Sequence, residues 1–144
     1  FASCSFSIFG NNDIVISSIY ECRIRDIKAG NLVSCIYKVV RHGRTHIAKA
    51  NKANGKKIYN KTAKPMACKM CHGDKGEGNG KLGAAFKSPV APRNFACKAT
   101  MKKVSPGQMY WIIKNGSKGT GMAKMKLKDK EIWDVIKYIR EDLM

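Results

Sequence analysis

The five residues Cys68-Lys69-Met70-Cys71-His72 form a C-x-x-C-H motif, the arrangement that attaches a c-type haem to a protein chain. Two intervening residues let both cysteine sulfurs reach the two vinyl groups on one edge of the macrocycle. The residue that follows then lies below the metal, where its imidazole can bind iron. The motif therefore predicts thioether bonds from Cys68 and Cys71, with His72 as an axial ligand.

Two other uses of a cysteine pair are weaker. A zinc ribbon needs a second cysteine or histidine pair downstream at finger spacing, and none follows Cys71. A thioredoxin-like redox pair needs a strand before the motif and a helix after it, whereas a glycine-rich stretch follows here. Haem attachment remains the best interpretation of the pair.

A haem iron that carries electrons without binding gases or peroxide needs a sixth ligand, and a thioether sulfur stabilises its ferrous state. The chain has seven methionines. Met122 is the favoured candidate because it follows the glycine-rich residues 116–121, which let backbone approach the porphyrin closely. Met125 is the runner-up, while Met66 and Met70 lie too near the attachment motif to reach the opposite face. Weaker candidates are Met101, Met109, His42 and His46.

The charge and composition restrict the class of protein. With 144 residues and 44% apolar content, the chain forms one domain or a small domain with an appendage. The formal net charge of +18 either keeps the protein soluble or steers it towards an acidic partner. The lysines are scattered without a helix-turn-helix or zinc-finger pattern, which argues against nucleic acid. No apolar run approaches the roughly 18 to 20 residues of a membrane-spanning helix.

Residues 52–144 carry helix signals that can position the motif. Residues 53–61 predict a short helix that ends before Pro65. Residues 73–95 are rich in Gly and Pro and predict a loop. The tetrapeptide Ser105-Pro106-Gly107-Gln108 predicts a helix start, with a capping serine, proline at the first position and glutamine three residues after the serine.

The clearest helix pattern covers residues 128–143. Its apolar residues recur at spacings of three and four: Ile132, Val135, Ile136, Ile139 and Leu143. Lys128 stands where a capping serine or threonine would pair with Glu131. We therefore expect either that Asp129 caps this helix or that its first turn frays.

Residues 1–51 differ from the rest of the chain in composition and hydrophobic pattern, which predicts an N-terminal extension. Runs of β-branched and aromatic residues favour two or three short strands within residues 5–9, 14–20, 21–27 and 32–40. Residues 41–52 are polar and basic and predict a linker. The extension has three candidate uses: a lipid tether through Cys4, a leader-peptidase site at Ala48-Lys49-Ala50, or a small β layer packed on the rest of the chain or on a partner. We favour the β layer, stapled through two of Cys4, Cys22, Cys35 and Cys97.

Residues 52–144 also resemble the class I c-type cytochromes, which are single-haem bacterial electron carriers with an all-helical fold. The matching stretches are Gly55 with Tyr59, residues 68–73, Pro92-Arg93-Asn94-Phe95, residues 105–113, Gly119-Thr120-Gly121-Met122 and residues 131–140. The resemblance implies an all-α cytochrome c fold around one covalently attached haem. Residues 1–51 match nothing in this family and remain an extension of unknown role with some β character.

The resemblance also implies roles for individual residues. His72 would be the proximal and Met122 the distal ligand of one haem c, which is bound covalently through Cys68 and Cys71. The first and last helices would meet through Gly55 and Tyr59 against Val135 and Tyr138. A proline carbonyl, from Pro89 or Pro92, would hold the other ring nitrogen of His72. Cys97 departs from the family pattern. If its thiolate lay near the iron, it would compete with Met122 as a ligand.

The function implied is one-electron transfer without substrate turnover. Lysines would dock an acidic redox partner; nucleic acid is not expected, and membrane association would be peripheral or through a lipid tether. Covalent haem and disulfides fit a periplasmic or otherwise exported bacterial protein. The rival functions are a haem c subunit of a larger oxidoreductase and a peroxidase-like enzyme with an open sixth position.

Overall fold

The regular structure is helical throughout the residues that the computed structural model of the chain describes, 45–86 and 91–144. Besides a helical segment at residues 45–49, the α-helices are α1 (Lys52–Lys57), α2 (Lys69–His72), α3 (Lys98–Met101), α4 (Pro106–Asn115) and α5 (Asp129–Tyr138). One π-helical turn extends α1 over Ile58–Thr62, another extends α5 over Ile139–Leu143, and Gly83–Ala85 forms a 3-10 turn. The all-α prediction is confirmed for these residues, while the strands predicted within residues 5–40 lie outside them.

The main helix packing joins α1 to α5 at Gly55. A Cβ atom on this glycine would collide with the Asp134 carbonyl oxygen and lie 2.5 Å from the carbonyl carbon. Only a glycine therefore lets the two backbones come this close. One turn later Tyr59, which is fully buried, packs edge to face on Tyr138 with 5.4 Å between ring centroids. The predicted contact between the first and last helices is confirmed.

Asp134 is a buried carboxylate that ties the start of α1 to α5. Its Oδ1 accepts a 2.6 Å hydrogen bond from the Asn51 backbone N–H, and its Oδ2 accepts one of 2.8 Å from the Asn54 side chain. Asn51 is also the N-cap of α1, because its side chain accepts from the Asn54 backbone N–H. The carboxylate is thus paired with donors, as burial of a charge requires.

The starts of α4 and α5 test the capping predictions. Ser105 caps α4 by accepting a 3.1 Å hydrogen bond from the Gln108 N–H, with Pro106 at the first position, as predicted. At α5 the N-cap is Lys128, whose backbone N–H donates to Glu131 Oε2 at 2.7 Å. The expectation that Asp129 caps α5 or that the first turn frays was wrong, because the glutamate reaches back as in a capping box.

The predicted linker 41–52 was wrong for its second half. Residues 45–49 are helical and Ala50 is buried. The Trp133 ring stacks with the His46 ring, with 5.1 Å between centroids, and also with the Tyr110 ring, with 4.9 Å between centroids. Residues 45–50 therefore pack against α5, although no local sequence pattern indicated it.

Candidate haem site

An apolar cleft of about 1170 Å³, counting space open to solvent, lies among α2, α3, α4 and the loops between them. Its lining includes the attachment motif residues Cys68, Cys71 and His72, and also Met122. The remaining walls are mainly aliphatic and aromatic.

His72 ends α2, and its ring is hydrogen-bonded to a backbone carbonyl. Its Nδ1 lies 3.1 Å from the Arg93 carbonyl oxygen. Because a carbonyl oxygen only accepts, Nδ1 must carry the proton, which leaves the Nε2 lone pair for a metal. Burial lowers the pKa of His72, so the ring is neutral, the form that binds iron.

The identity of that carbonyl differs from the family expectation. The acceptor belongs to Arg93, the residue after Pro92, and not to Pro92 itself. Pro89 lies outside the described residues. Every residue has a backbone carbonyl, whatever its side chain, so the sequence could not show which residue of the segment accepts this hydrogen bond.

The glycine-rich loop after the motif folds back onto α2. The Gly78 N–H donates to the His72 carbonyl at 2.8 Å, and the Gly80 N–H donates to the Cys71 carbonyl at 3.1 Å. A Cβ on Gly83 would collide with that same Cys71 carbonyl. The loop prediction is confirmed for residues 73–82, and the close contacts explain why glycine is needed in it.

The two motif cysteines are free thiols in the described chain. Burial raises the pKa of Cys68 to about 11 and raises that of Cys71 as well. Zinc ligands and redox cysteines act as thiolates, which such an environment disfavours. Within residues 45–86 and 91–144, moreover, no group of three or more His, Cys, Asp or Glu is placed to hold a metal ion. The raised pKa values of the two thiols argue against the zinc and thioredoxin-like alternatives.

Met122 lines the same cleft and is held there by a compact loop. Its carbonyl accepts from the Ser117 N–H at 2.9 Å, and its N–H donates to Thr120 Oγ1 at 3.2 Å. Gly116 has φ +79°, and a Cβ on it would lie 2.8 Å from the Met122 carbonyl oxygen. A Cβ on Gly121 would lie 2.5 Å from the Phe86 ring. The loop geometry thus places Met122 against the cleft, but its role as a ligand remains a prediction.

The other candidate ligands are distributed unevenly. Met101, Met109 and Met125 also line the cleft and belong to the buried core. His46 stacks on Trp133 and is not among the cleft residues. His42 lies outside the described residues. Cys97 is disulfide-bonded and therefore offers no thiolate to compete for iron, and the predicted pairings of Cys4, Cys22 and Cys35 lie outside the described residues.

Sequence reasoning missed three contributors to the site. Arg93 supplies the acceptor for His72, Phe95 stacks on the His72 ring, and Phe86 packs on Gly121 next to Met122. The motif Pro92-Arg93-Asn94-Phe95 marked the first two without indicating their roles. Phe86 carried no signal beyond being an apolar residue in a loop.

Comparison with known proteins agrees with this geometry. A family model described as Cytochrome c matches residues 52–141. No curated protein and no solved structure matches the chain significantly. None of the helices in the described residues is long and apolar enough to cross a membrane. The two thiols, the neutral imidazole and the apolar cleft suit haem c, and with most of its length matched the chain belongs to the cytochrome c family, whose members perform haem-based electron transfer.

Proposed function

We propose that the protein is a one-electron carrier with one haem c bound covalently through Cys68 and Cys71, with His72 and Met122 as axial ligands. The observation that carries the proposal is the state of His72. Its Nδ1 is hydrogen-bonded to the Arg93 carbonyl, which leaves Nε2 available in the cleft that His72 lines together with Cys68, Cys71 and Met122.

Haem c supplies a reversible one-electron change at its iron, and the chain holds it in place. Cys68 and Cys71 would hold the haem through thioether bonds to its two vinyl groups, an addition that needs no oxidant. The Arg93 carbonyl keeps the His72 proton on Nδ1. Two hydrogen bonds restrain the loop around Met122, and such a restraint would limit movement of this residue during electron transfer.

The lysine-rich surface supports an acidic redox partner. Lys64, Lys118, Lys124 and Lys126 are all exposed and adjoin cleft-lining residues in the chain. The Lys126 N–H donates to the Lys64 carbonyl at 2.8 Å, so these two lie together near one edge of the cleft. Positive charge there steers an acidic protein to the part of the molecule closest to the haem. We propose an exported compartment, the bacterial periplasm being the favoured one, because covalent haem and disulfides suit it.

Carbon monoxide distinguishes this carrier from the rival functions. A peroxidase-like enzyme keeps its sixth position open, whereas a carrier with two protein ligands does not. The purified, reduced holoprotein is mixed with carbon monoxide and followed by absorption spectroscopy. We expect little or slow binding; rapid stoichiometric binding would overturn the carrier proposal.

The assignment of the sixth ligand has its own test. Met122→Ala should open the sixth position, abolish the weak sulfur-to-iron charge-transfer band of the oxidised protein and lower its midpoint potential. Met125→Ala is the matched control, since Met125 also lines the cleft, and it should retain the band. Persistence of the band without Met122 would show that another side chain is the ligand.

A further inference from the structure

The ring of Phe95 lies flat against the ring of His72. Their centroids are 4.4 Å apart and their planes differ by 19°. Phe95 is 8% exposed and also lines the cleft. Face-to-face contact at this distance restricts how far the imidazole can tilt or rotate.

Phe95 also packs against the backbone at Gly76. Its N–H donates to the Gly76 carbonyl at 2.6 Å. Gly76 has φ +72°, and a Cβ there would lie 3.1 Å from the Phe95 ring and 3.3 Å from Leu143 Cδ1. The phenyl ring therefore sits between His72 and a backbone segment that leaves no spare room, and it cannot turn away without moving that loop.

The hydrogen bond that His72 makes does not by itself define the plane of its ring. The imidazole is attached through Cβ and makes one hydrogen bond, from Nδ1 to the Arg93 carbonyl. That pair of points leaves the ring free to rock about the line between them. The phenyl ring of Phe95, which stacks on the face of the imidazole, prevents this motion.

We propose that Phe95 is a positioning residue that sets the rotation of the His72 plane about its bond to iron. The proposal rests on the proposed function, because it takes His72 as the axial ligand. The orientation of an axial imidazole decides which of the two iron orbitals with π symmetry is raised, and so where the unpaired electron of ferric haem resides. Phe95 thereby determines the electronic anisotropy of the oxidised haem.

The test uses the ferric holoprotein with cyanide added. Cyanide replaces the distal ligand and is symmetric about its axis, so the pattern of haem methyl resonances in the proton NMR spectrum then reports the His72 plane. Phe95→Leu removes the ring face, and we expect the order or spread of the four methyl resonances to change. The matched control is Tyr110→Leu, which removes a ring that stacks on Trp133 and is not among the residues that line the cleft, and it should keep the wild-type order and spread.

Thermal unfolding of the same variants separates positioning from packing. If Phe95 only filled the core, Phe95→Leu would lower the melting temperature and leave the methyl pattern unchanged, and that result would overturn the proposal. Phe95→Tyr keeps a ring face and should preserve the pattern. Should Leu prevent haem attachment, Phe95→Met, which is also unbranched at Cβ and lacks a ring, is judged by the same criterion.

The wild-type adduct keeps the two proposals distinguishable. If it lacks the low-spin spectrum of an imidazole–cyanide haem, His72 is not the ligand and the proposed function fails with it. If that spectrum is present and Phe95→Leu leaves both the order and the spread of the methyl resonances unchanged, only the role of Phe95 is refuted.

Discussion

Gly55→Ala adds one methyl group to the closest backbone contact in the described chain between α1 and α5. The new Cβ would collide with the Asp134 carbonyl oxygen, lie 2.5 Å from its carbon and lie 3.0 Å from the Val135 nitrogen. None of these atoms is the tip of a flexible side chain, so none can rotate away. The two helices must separate, which loosens the packing of Tyr59 on Tyr138.

The expected cost follows from two opposing effects. Alanine is preferred to glycine inside a helix by about 1 kcal/mol, which favours the variant. Overpacking typically costs about 1–3 kcal/mol and more against rigid backbone, so we expect a net loss of about 2 kcal/mol. For a domain of this size such a loss lowers the melting temperature by roughly 8–16 °C.

Guanidinium unfolding of the oxidised holoprotein, followed by haem absorbance and by far-UV circular dichroism, measures this loss. Gly107→Ala is the matched control because a Cβ there meets only Ser105 Oγ, at 3.9 Å. It should be neutral or stabilise the protein by up to about 1 kcal/mol. Equal stabilities for the two alanine variants would refute the close-approach argument.

Three further predictions concern other parts of the molecule. Asp134→Ala should cost about 1–3 kcal/mol by leaving the Asn51 N–H unpaired, whereas Asp129→Ala, at an exposed ion pair, should cost less than about 1 kcal/mol in urea unfolding. A chain that starts at Lys52 should keep the haem spectrum of a chain that starts at Thr45. Its free energy of unfolding should be lower by about 2–4 kcal/mol, because it lacks the stacking of His46 on Trp133 and the Asn51 cap of α1. Equal free energies of unfolding for the two chains would support the interpretation of residues 45–51 as a linker. Electron transfer with an acidic partner should slow steeply as salt shortens the Debye length from about 10 Å at 0.1 M to about 3 Å at 1 M, and rates insensitive to salt would leave the lysines a solubilising role alone.

Local patterns were sufficient where the structure depends on neighbours in the chain. The start of α4 followed from Ser105 and Pro106, and the last helix followed from apolar spacing. The cap of α5 could not be predicted from the side chain of Lys128, because the backbone N–H of this residue makes the bond to Glu131. The attachment motif was equally local, and its three chemical residues line one cleft.

Contacts distant in sequence could not be predicted in this way. His46 and Trp133 are separated by most of the described chain, and nothing near either residue predicts their stacking. The four-residue helix α3 begins after Cys97, which makes no side-chain capping bond, so it too lacked a sequence signal. Its formation depends on burying Met101 in the core.

The joint between α1 and α5 and the ligand His72 are mechanically connected through Tyr59. Burial raises the pKa of Tyr59, so its hydroxyl stays protonated and donates a 2.7 Å hydrogen bond to the carbonyl of Gly73, the residue after His72. The same ring packs on α5, and the π-helical turn that extends α5 reaches Gly76, which backs Phe95. Any separation of α1 from α5 should therefore displace the loop after His72 at both Gly73 and Gly76. For this reason we expect Gly55→Ala, in the cyanide adduct, to disturb the haem methyl pattern as well as the stability, although Gly55 itself is not part of the cleft.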